Sequence, residues 1–166
     1  MPDTREQTAA LIGAYYAAFN AMDVEAILAC LDDDVAHDIN QGSREVGKAA
    51  FRAFLGRMDH AYSEQLRDIA IMTSPDGKRA AAEFIVDGIY KVADEGFPAA
   101  HGQSYSLPAG GFFEVADGLR ISRLHLFELF LDHKGAVLKV GYIDIARYTG
   151  MRLSEIGALT TESLVT

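Results

Sequence analysis

The feature that most restricts the fold of this chain is the run Lys78–Val92. Ala82, Phe84, Val86, Gly88 and Tyr90 fall on one side of it, and Glu83, Ile85, Asp87, Ile89 and Lys91 on the other. A period of two lays one face of an extended strand against a core, whereas a helix would scatter the same residues around its circumference. Just before it, Ser74-Pro75-Asp76-Gly77 joins a fixed φ at proline to a permissive glycine, so Glu64–Thr73 and Lys78–Val92 are expected to pair as a hairpin. Asp117-Gly118 repeats the turn signal between Gln103–Val115 and Leu119–Leu131.

Ahead of the strands the period is helical. Thr4–Ala21 sets Leu11, Tyr15, Ala18 and Met22 on one face with Phe19 beside them. Asp23 is placed to cap a second helix by accepting a hydrogen bond from a backbone N–H near Ala26, and Val24, Ile27, Cys30 and Leu31 then share a face. Asp32-Asp33-Asp34 is expected to be a solvated exit loop, since it lacks the spaced oxygen ligands of a calcium loop. Val35–Asn40 is expected as a short strand, and Lys48–Met58 as a third helix burying Phe51, Phe54, Leu55 and Met58. Three helices followed by an antiparallel meander predict an α+β domain, with the helices on one face of a curved sheet.

Composition removes several classes of function. A net charge of −9, with scattered Lys and Arg, repels phosphate backbones and anionic lipid, so neither nucleic acid nor a membrane is an expected partner. Cys30 is the single cysteine, which rules out an internal disulfide and a cysteine cage and marks it as a small core residue. No segment has the length of a bilayer span and MPDTREQ lacks the pattern of a signal peptide, so a reducing, cytoplasmic setting is expected. His60 and His101 have no companions at a ligand spacing, and neither a phosphate-binding glycine loop nor a G-x-S-x-G elbow occurs. No metal and no cofactor are expected.

The stretches YYAAFNAMDVEAILACLDDDVAHD, GKAAFRAFL, GKRAAAEFIVDGIY and GQSYSLPAGGFFEVADGLRISRL, in that order across residues 5–127, resemble the SnoaL-like and ketosteroid-isomerase-like branch of the NTF2-like superfamily. More narrowly, they resemble bacterial proteins called ketosteroid isomerase-related. The resemblance implies an α+β cone, three N-terminal helices packed on a curved and mainly antiparallel sheet, with a deep apolar pocket between them and often a homodimer. It does not fix the reaction, since this fold serves many. Ketosteroid isomerases work with a tyrosine and a protonated acid as an oxyanion hole and a carboxylate as base. The tyrosine aligns with Tyr15, the base position with Ile39, one residue beyond Asp38, and the second acid with Gly110. Two of those three groups are therefore absent, and steroid isomerisation does not carry over.

If Gly110 faces inward like its counterpart, Phe112 and Glu114 follow it, and Arg123, His125 and Phe127 share the pocket side of the next strand. His37 shares a face with Ile39. The expected catalytic set is then Tyr15 as hydrogen-bond donor, His37 or His125 as proton-transfer group, and Asp38 as a partner orienting a histidine or, on a bulged strand, as the base. Phe19, Asn40, Phe54, Phe84, Val86, Phe112, Glu114, Arg123 and Phe127 are the expected substrate-binding residues. The structural alternatives are a packed Tyr15, core or surface histidines, an Asp38–Asn40 turn cap and a cross-strand Glu114–Arg123 pair. The functional expectation is a cofactor-free isomerase, cyclase or hydratase acting on a hydrophobic carbonyl compound by proton transfer. The alternative is a non-catalytic binding or association module of the same fold.

The domain so described is expected to span residues 1–131. Residues 132–166 form an extension in which Val137, Lys139, Gly141 and Ile143 alternate with Leu138, Val140, Tyr142 and Asp144, the pattern of an added strand, and Met151–Leu159 suits a short helix.

Overall fold

The computed structural model describes residues 3–39, 44–93 and 99–128. Helix α1 (Thr4–Asn20) is followed by the short α2 (Val24–Ala29), strands β1 (Leu31–Ile39) and β2 (Arg44–Val46), helix α3 (Lys48–Ala61), and the long strands β3 (Tyr62–Thr73), β4 (Arg79–Tyr90), β5 (Ser104–Ala116) and β6 (Arg120–Glu128). The expected strand and helix of residues 132–166 lie outside the described residues. Among those described, no helix is long and apolar enough to cross a membrane.

The strands form one sheet in the order β2-β1-β6-β5-β4-β3, antiparallel throughout except where β1 runs parallel to β6. Both expected turns are present between the long strands. The acidic run is not an exit loop but the head of β1. Leu31 pairs with Ile121 and the next pairing is Ala36 with Arg123, so the three aspartates are carried past the ladder in an irregular segment. There Asp33 accepts a hydrogen bond from Lys48 at 2.8 Å. Gly47, at φ +91°, opens α3 in a region that disfavours a Cβ, and its N–H donates to the Val35 carbonyl at 2.8 Å.

Helix α1 is strapped to the sheet at both ends. Near its start the buried Thr8 hydroxyl donates to the Gly77 carbonyl at 2.6 Å, in the turn between β3 and β4. At its end Asn20 Nδ2 donates to the Leu66 carbonyl at 2.9 Å, and Asn20 Oδ1 accepts from the Leu66 N–H at 2.8 Å. One side chain thus completes the pairing of an edge strand. The chain then reverses at Met22, with φ 57°, and Asp23 caps α2 through the Ala26 N–H at 3.0 Å, as expected.

The buried face of α1 is Thr8, Ile12, Tyr15, Tyr16 and Ala18 rather than the expected Leu11, Tyr15, Ala18 and Met22. Met22 is 52% exposed because the helix ends before reaching it. Tyr15 and Tyr16 meet edge-on at 5.3 Å, and each lies 5.9 Å from the ring of Phe113, with Phe84 at 5.1 Å from Tyr16. Phe113 is 2% exposed whereas its neighbour Phe112 is 59% exposed. Emptying so filled a position leaves a cavity as well as losing apolar burial. Phe113→Ala is therefore expected to lower the unfolding free energy by about 3–5 kcal/mol in urea denaturation against the parent.

Candidate functional site

A cavity of about 310 Å³ opens where the ends of the helices stand over the start of the sheet. Phe19 and Met22 line it from the end of α1, Val24 and Ile27 from α2, Arg52, Leu55, Gly56, Met58 and Asp59 from α3, and Tyr62 and Glu64 from β3. Its walls are mostly apolar. The αL reversal at Met22 and the Asp23 cap turn α2 back alongside α3, and that sets the mouth of the cavity. Arg52, at the rim, is held by both oxygens of Glu25 at 2.6 and 3.0 Å.

Glu64 is the carboxylate set furthest into this wall, and the strand register explains how it is held. Glu64 pairs with Gly88, and Gly88 pairs with Tyr105, so the three form one row across β3, β4 and β5. Their shared face is the one that buries Leu66, Val86 and Leu107. The Tyr105 ring lies over Gly88, and its hydroxyl donates to Glu64 Oε1. A Cβ on residue 88 would stand 2.2 Å from Tyr105 Cζ, so the row requires glycine at its middle. Burial raises the carboxyl pKa of Glu64 above the ordinary carboxylate value, and the Tyr105 hydrogen bond acts in the opposite sense. Next to the row, Tyr62 and Tyr90 stack at 5.1 Å.

The residues expected to form the site are divided between the two faces of the sheet. The face of β5 that meets the helices carries Leu107, Ala109, Gly111, Phe113 and Val115, so the expected inward parity of Gly110, Phe112 and Glu114 is corrected by one residue. On β6 the core takes Leu124, with Leu126 packed beside it, and Arg123 and His125 belong to the other face. Asp38 joins them. Arg44 holds it at 2.6 and 3.0 Å and Arg123 at 2.7 Å. Arg123 in turn reaches Glu114 at 3.0 Å, and Arg79 lies 3.5 Å from the same carboxylate. Arg44, Asp38, Arg123, Glu114 and Arg79 therefore alternate in charge across five adjacent strands of the outer face. The hydrogen bonds from Arg44, ahead of those from Arg123, hold the Asp38 carboxyl well below the usual carboxylate range.

Tyr15, from α1, and His37, from β1, do lie in the core between helices and sheet, but neither lines the cavity. Tyr15 is fully enclosed in the aromatic core, and burial drives its phenol pKa up. Tyr16 is enclosed likewise, and its hydroxyl has no hydrogen-bond partner among the described residues. His37 is 2% exposed and sits between Phe51 at 4.9 Å and Phe54 at 4.4 Å. Burial lowers its pKa to about 4 against the opposing pull of Glu45 and Asp38, while His125 and Arg57 lower it further. Of the expected binding residues, Phe19 lines the cavity, Phe84 and Val86 lie in the core, and Phe54 covers His37. Asn40 lies outside the described residues, as does the side chain of Phe127, whose backbone pairs with Gly110.

Glu64, Tyr105, Arg52 and Asp59 were not anticipated as site residues. The signal for the first two was Gly88, a glycine inside an otherwise well-patterned strand, which marks close approach of another group. Among the described residues, no group of three His, Cys, Asp or Glu side chains could hold a metal ion.

Helices on one face of an open, curved, mainly antiparallel sheet define an NTF2-like α+β protein. An NTF2-like protein of unknown function from Burkholderia pseudomallei K96243, 18% identical, superposes with a TM-score of 0.62 over 74% of this chain and 90% of that one, and the likeness shows the fold. The SnoaL-like domain model matches residues 12–124, and the chain belongs to that family. Two solved structures are much nearer in sequence, both described as candidate polyketide cyclases. The one from Xanthomonas campestris pv. campestris is 51% identical, with a TM-score of 0.72 over 75% of this chain and 91% of that one. The one from Pseudomonas putida KT2440 is 50% identical, with a TM-score of 0.70 over 78% and 95%. No curated protein matches the chain.

The enclosure of His37 has a measurable consequence. Its folded pKa of about 4 lies below the ordinary imidazole value of 6.5, so above that value it is mainly uncharged in both folded and unfolded chains. As pH falls from 6.5 toward 4 the unfolded chain takes the proton first, and stability is lost. The loss attributable to His37 is expected to reach on the order of 3 kcal/mol at the acid end of that window. It is read as the difference in unfolding free energy against pH between the parent and His37→Leu, which is expected to lack that slope.

Proposed function

We propose that this protein binds an uncharged, hydrophobic carbonyl compound in the cavity beside Glu64 and acts on it as a cofactor-free isomerase or cyclase. The observation that carries the reading is a carboxylate set into a mostly apolar wall. Burial raises the proton affinity of Glu64 above that of an ordinary carboxylate, which makes it a stronger general base. In such a reaction Glu64 removes a proton from the carbon next to the carbonyl, leaving an enolate. It returns the proton to a second carbon in an isomerisation or, where the enolate carbon bonds to a second carbonyl carbon to close a ring, to the alkoxide oxygen formed there. Tyr62, which also lines the cavity, would supply a hydroxyl to stabilise the enolate oxygen. Membership of the SnoaL-like family, and the description of two relatives as candidate polyketide cyclases, supports a small-molecule role of cyclase or isomerase type.

The charge of the lining supports a neutral ligand. Asp59 and Glu64 are acidic, and Arg52 is engaged by Glu25. A carboxylate or phosphate would enter against two acids with no disengaged cation among the described lining residues.

Glu64→Gln keeps the shape of the side chain and removes its proton chemistry. Against a panel of apolar ketones, enones and β-ketoesters, the parent is expected to catalyse isomerisation or solvent deuterium exchange, and the variant to lose at least about 100-fold in turnover while still binding the ligand. Equal turnover by the two proteins would remove Glu64 from the chemistry. Carboxylate analogues of the best ligand are expected to bind more weakly than the neutral parent compound.

A homodimer belongs to the same proposal. Met72 and Phe112, both more than half exposed, flank Ala81 in one row of the outer face, and Ile89, 46% exposed, lies on that face too. Light scattering is expected to give twice the chain mass for the parent and a smaller mass for Phe112→Asp.

A further inference from the structure

We propose that Tyr105 is the positioning residue for Glu64: reaching over Gly88 from two strands away, its hydroxyl holds the carboxylate in one orientation against the cavity and governs how readily it takes a proton. The inference rests on the reading of Glu64 as the base, and it concerns what prepares that base.

The geometry carries it in three steps. Glu64 and Tyr105 belong to strands that do not pair, and their nearest common neighbour is Gly88. Any other residue at 88 would put a side chain between them, with three Tyr105 atoms within 2.5 Å of its Cβ. The absent side chain is therefore a notch in which the phenol ring lies, and the ring ends with its hydroxyl on Glu64 Oε1. Glycine weakens a strand interior, since it packs nothing and loses the most entropy on ordering. Here the missing side chain admits a long-range hydrogen bond, which no residue with a Cβ would allow.

The groups facing Glu64 come from several elements. Tyr62 precedes it on β3, Tyr90 stacks on Tyr62 from β4, and α3 contributes Arg52 and Asp59 across the cavity. Lys91 Nζ approaches from beyond β4 and donates to the Asp59 carbonyl. Burial and the Tyr105 hydroxyl are the influences that shift the Glu64 carboxyl, burial being the larger and upward, the hydroxyl downward because it donates to the charged form. Removing the phenolic O–H leaves burial unopposed, so the carboxyl should hold its proton to higher pH.

The test follows the titration of Glu64 itself, by carboxyl 13C NMR of glutamate-labelled protein, in the parent, Tyr105→Phe, Gly88→Ala, Tyr105→Ala and the double variant Gly88→Ala/Tyr105→Ala. Tyr105→Phe keeps the ring and is expected to raise the Glu64 midpoint. Gly88→Ala is expected to raise it too, because the added methyl displaces the ring although the tyrosine remains. In the Tyr105→Ala background the Gly88→Ala change is expected to add nothing. A midpoint unmoved by Tyr105→Phe would overturn the proposal, as would an effect of Gly88→Ala of equal size with and without the ring. These readings need no turnover. A shifted midpoint with no activity on any carbonyl compound would sustain the Tyr105 assignment while overturning the function proposed above. Where activity is present, the acidic limb of kcat is expected to move upward with the midpoint, and KM to stay within about twofold.

Discussion

The edge-on packing of Tyr15 and Tyr16 against Phe113 decides which way every strand of this sheet faces. A strand can give only alternate residues to a core, so once Phe113 is taken inward Phe112 and Glu114 go outward. Register passes the choice along. Phe113 pairs with Leu124, Leu124 with His37, and Phe113 on the other side with Ala80, and each of these is buried. Gly111 fits the same logic, since a Cβ there would stand 2.9 Å from Leu126 and 3.1 Å from the Tyr16 hydroxyl. The aromatic cluster thus fills the core between α1 and the sheet, and the cavity lies toward the other end, where α1 has stopped and α2 begins.

That single choice of parity sorts the charged residues. Those sent outward neutralise one another in a row from Arg44 on β2 to Arg79 on β4, exposed to water for much of its length, where each pair is worth little to stability. The row's value lies in register. One residue of slip of β1 against β6 would turn Asp38 to the helix face and take it from Arg123. Glu64, sent inward at the rim of the sheet, has no cation as partner among the described residues and takes a neutral hydroxyl instead.

Much of this was legible in the sequence. The hairpins, the third helix, the Asp23 cap and the family all followed from period, turn chemistry and the order of motifs, because these are local signals. The site was less legible because it depends on parity between distant strands. Gly110-Gly111 offers two adjacent glycines, and nothing local says which of them faces the core; the decision rests with the fit of Phe113 against a helix about a hundred residues earlier in the chain. The acidic run was misjudged for a related reason, since an irregular parallel pairing with β6 draws three consecutive aspartates into a strand that β-propensity would exclude. Tyr105 and Glu64, by contrast, left a trace in Gly88, whose place inside a long alternating strand has no explanation until something is found lying across it.

His37 and Glu64 are both titratable groups whose charged forms burial opposes, and the contrast between them argues where chemistry can occur. His37 is closed between two phenyl rings, and its imidazole stays uncharged through the neutral range with its Nδ1 unpartnered among the described residues. A proton delivered there would have to pass through packed side chains, so its contribution is to the wall of the fold. Glu64 experiences the same kind of desolvation but lies on the surface of a cavity, with one oxygen held by a hydroxyl that can adjust to either protonation state. Perturbation alone does not mark a functional group. Perturbation beside a space of ligand size, with a second group oriented by a notch in the intervening strand, is a more demanding condition, and among the expected and observed candidates Glu64 is the residue that meets it.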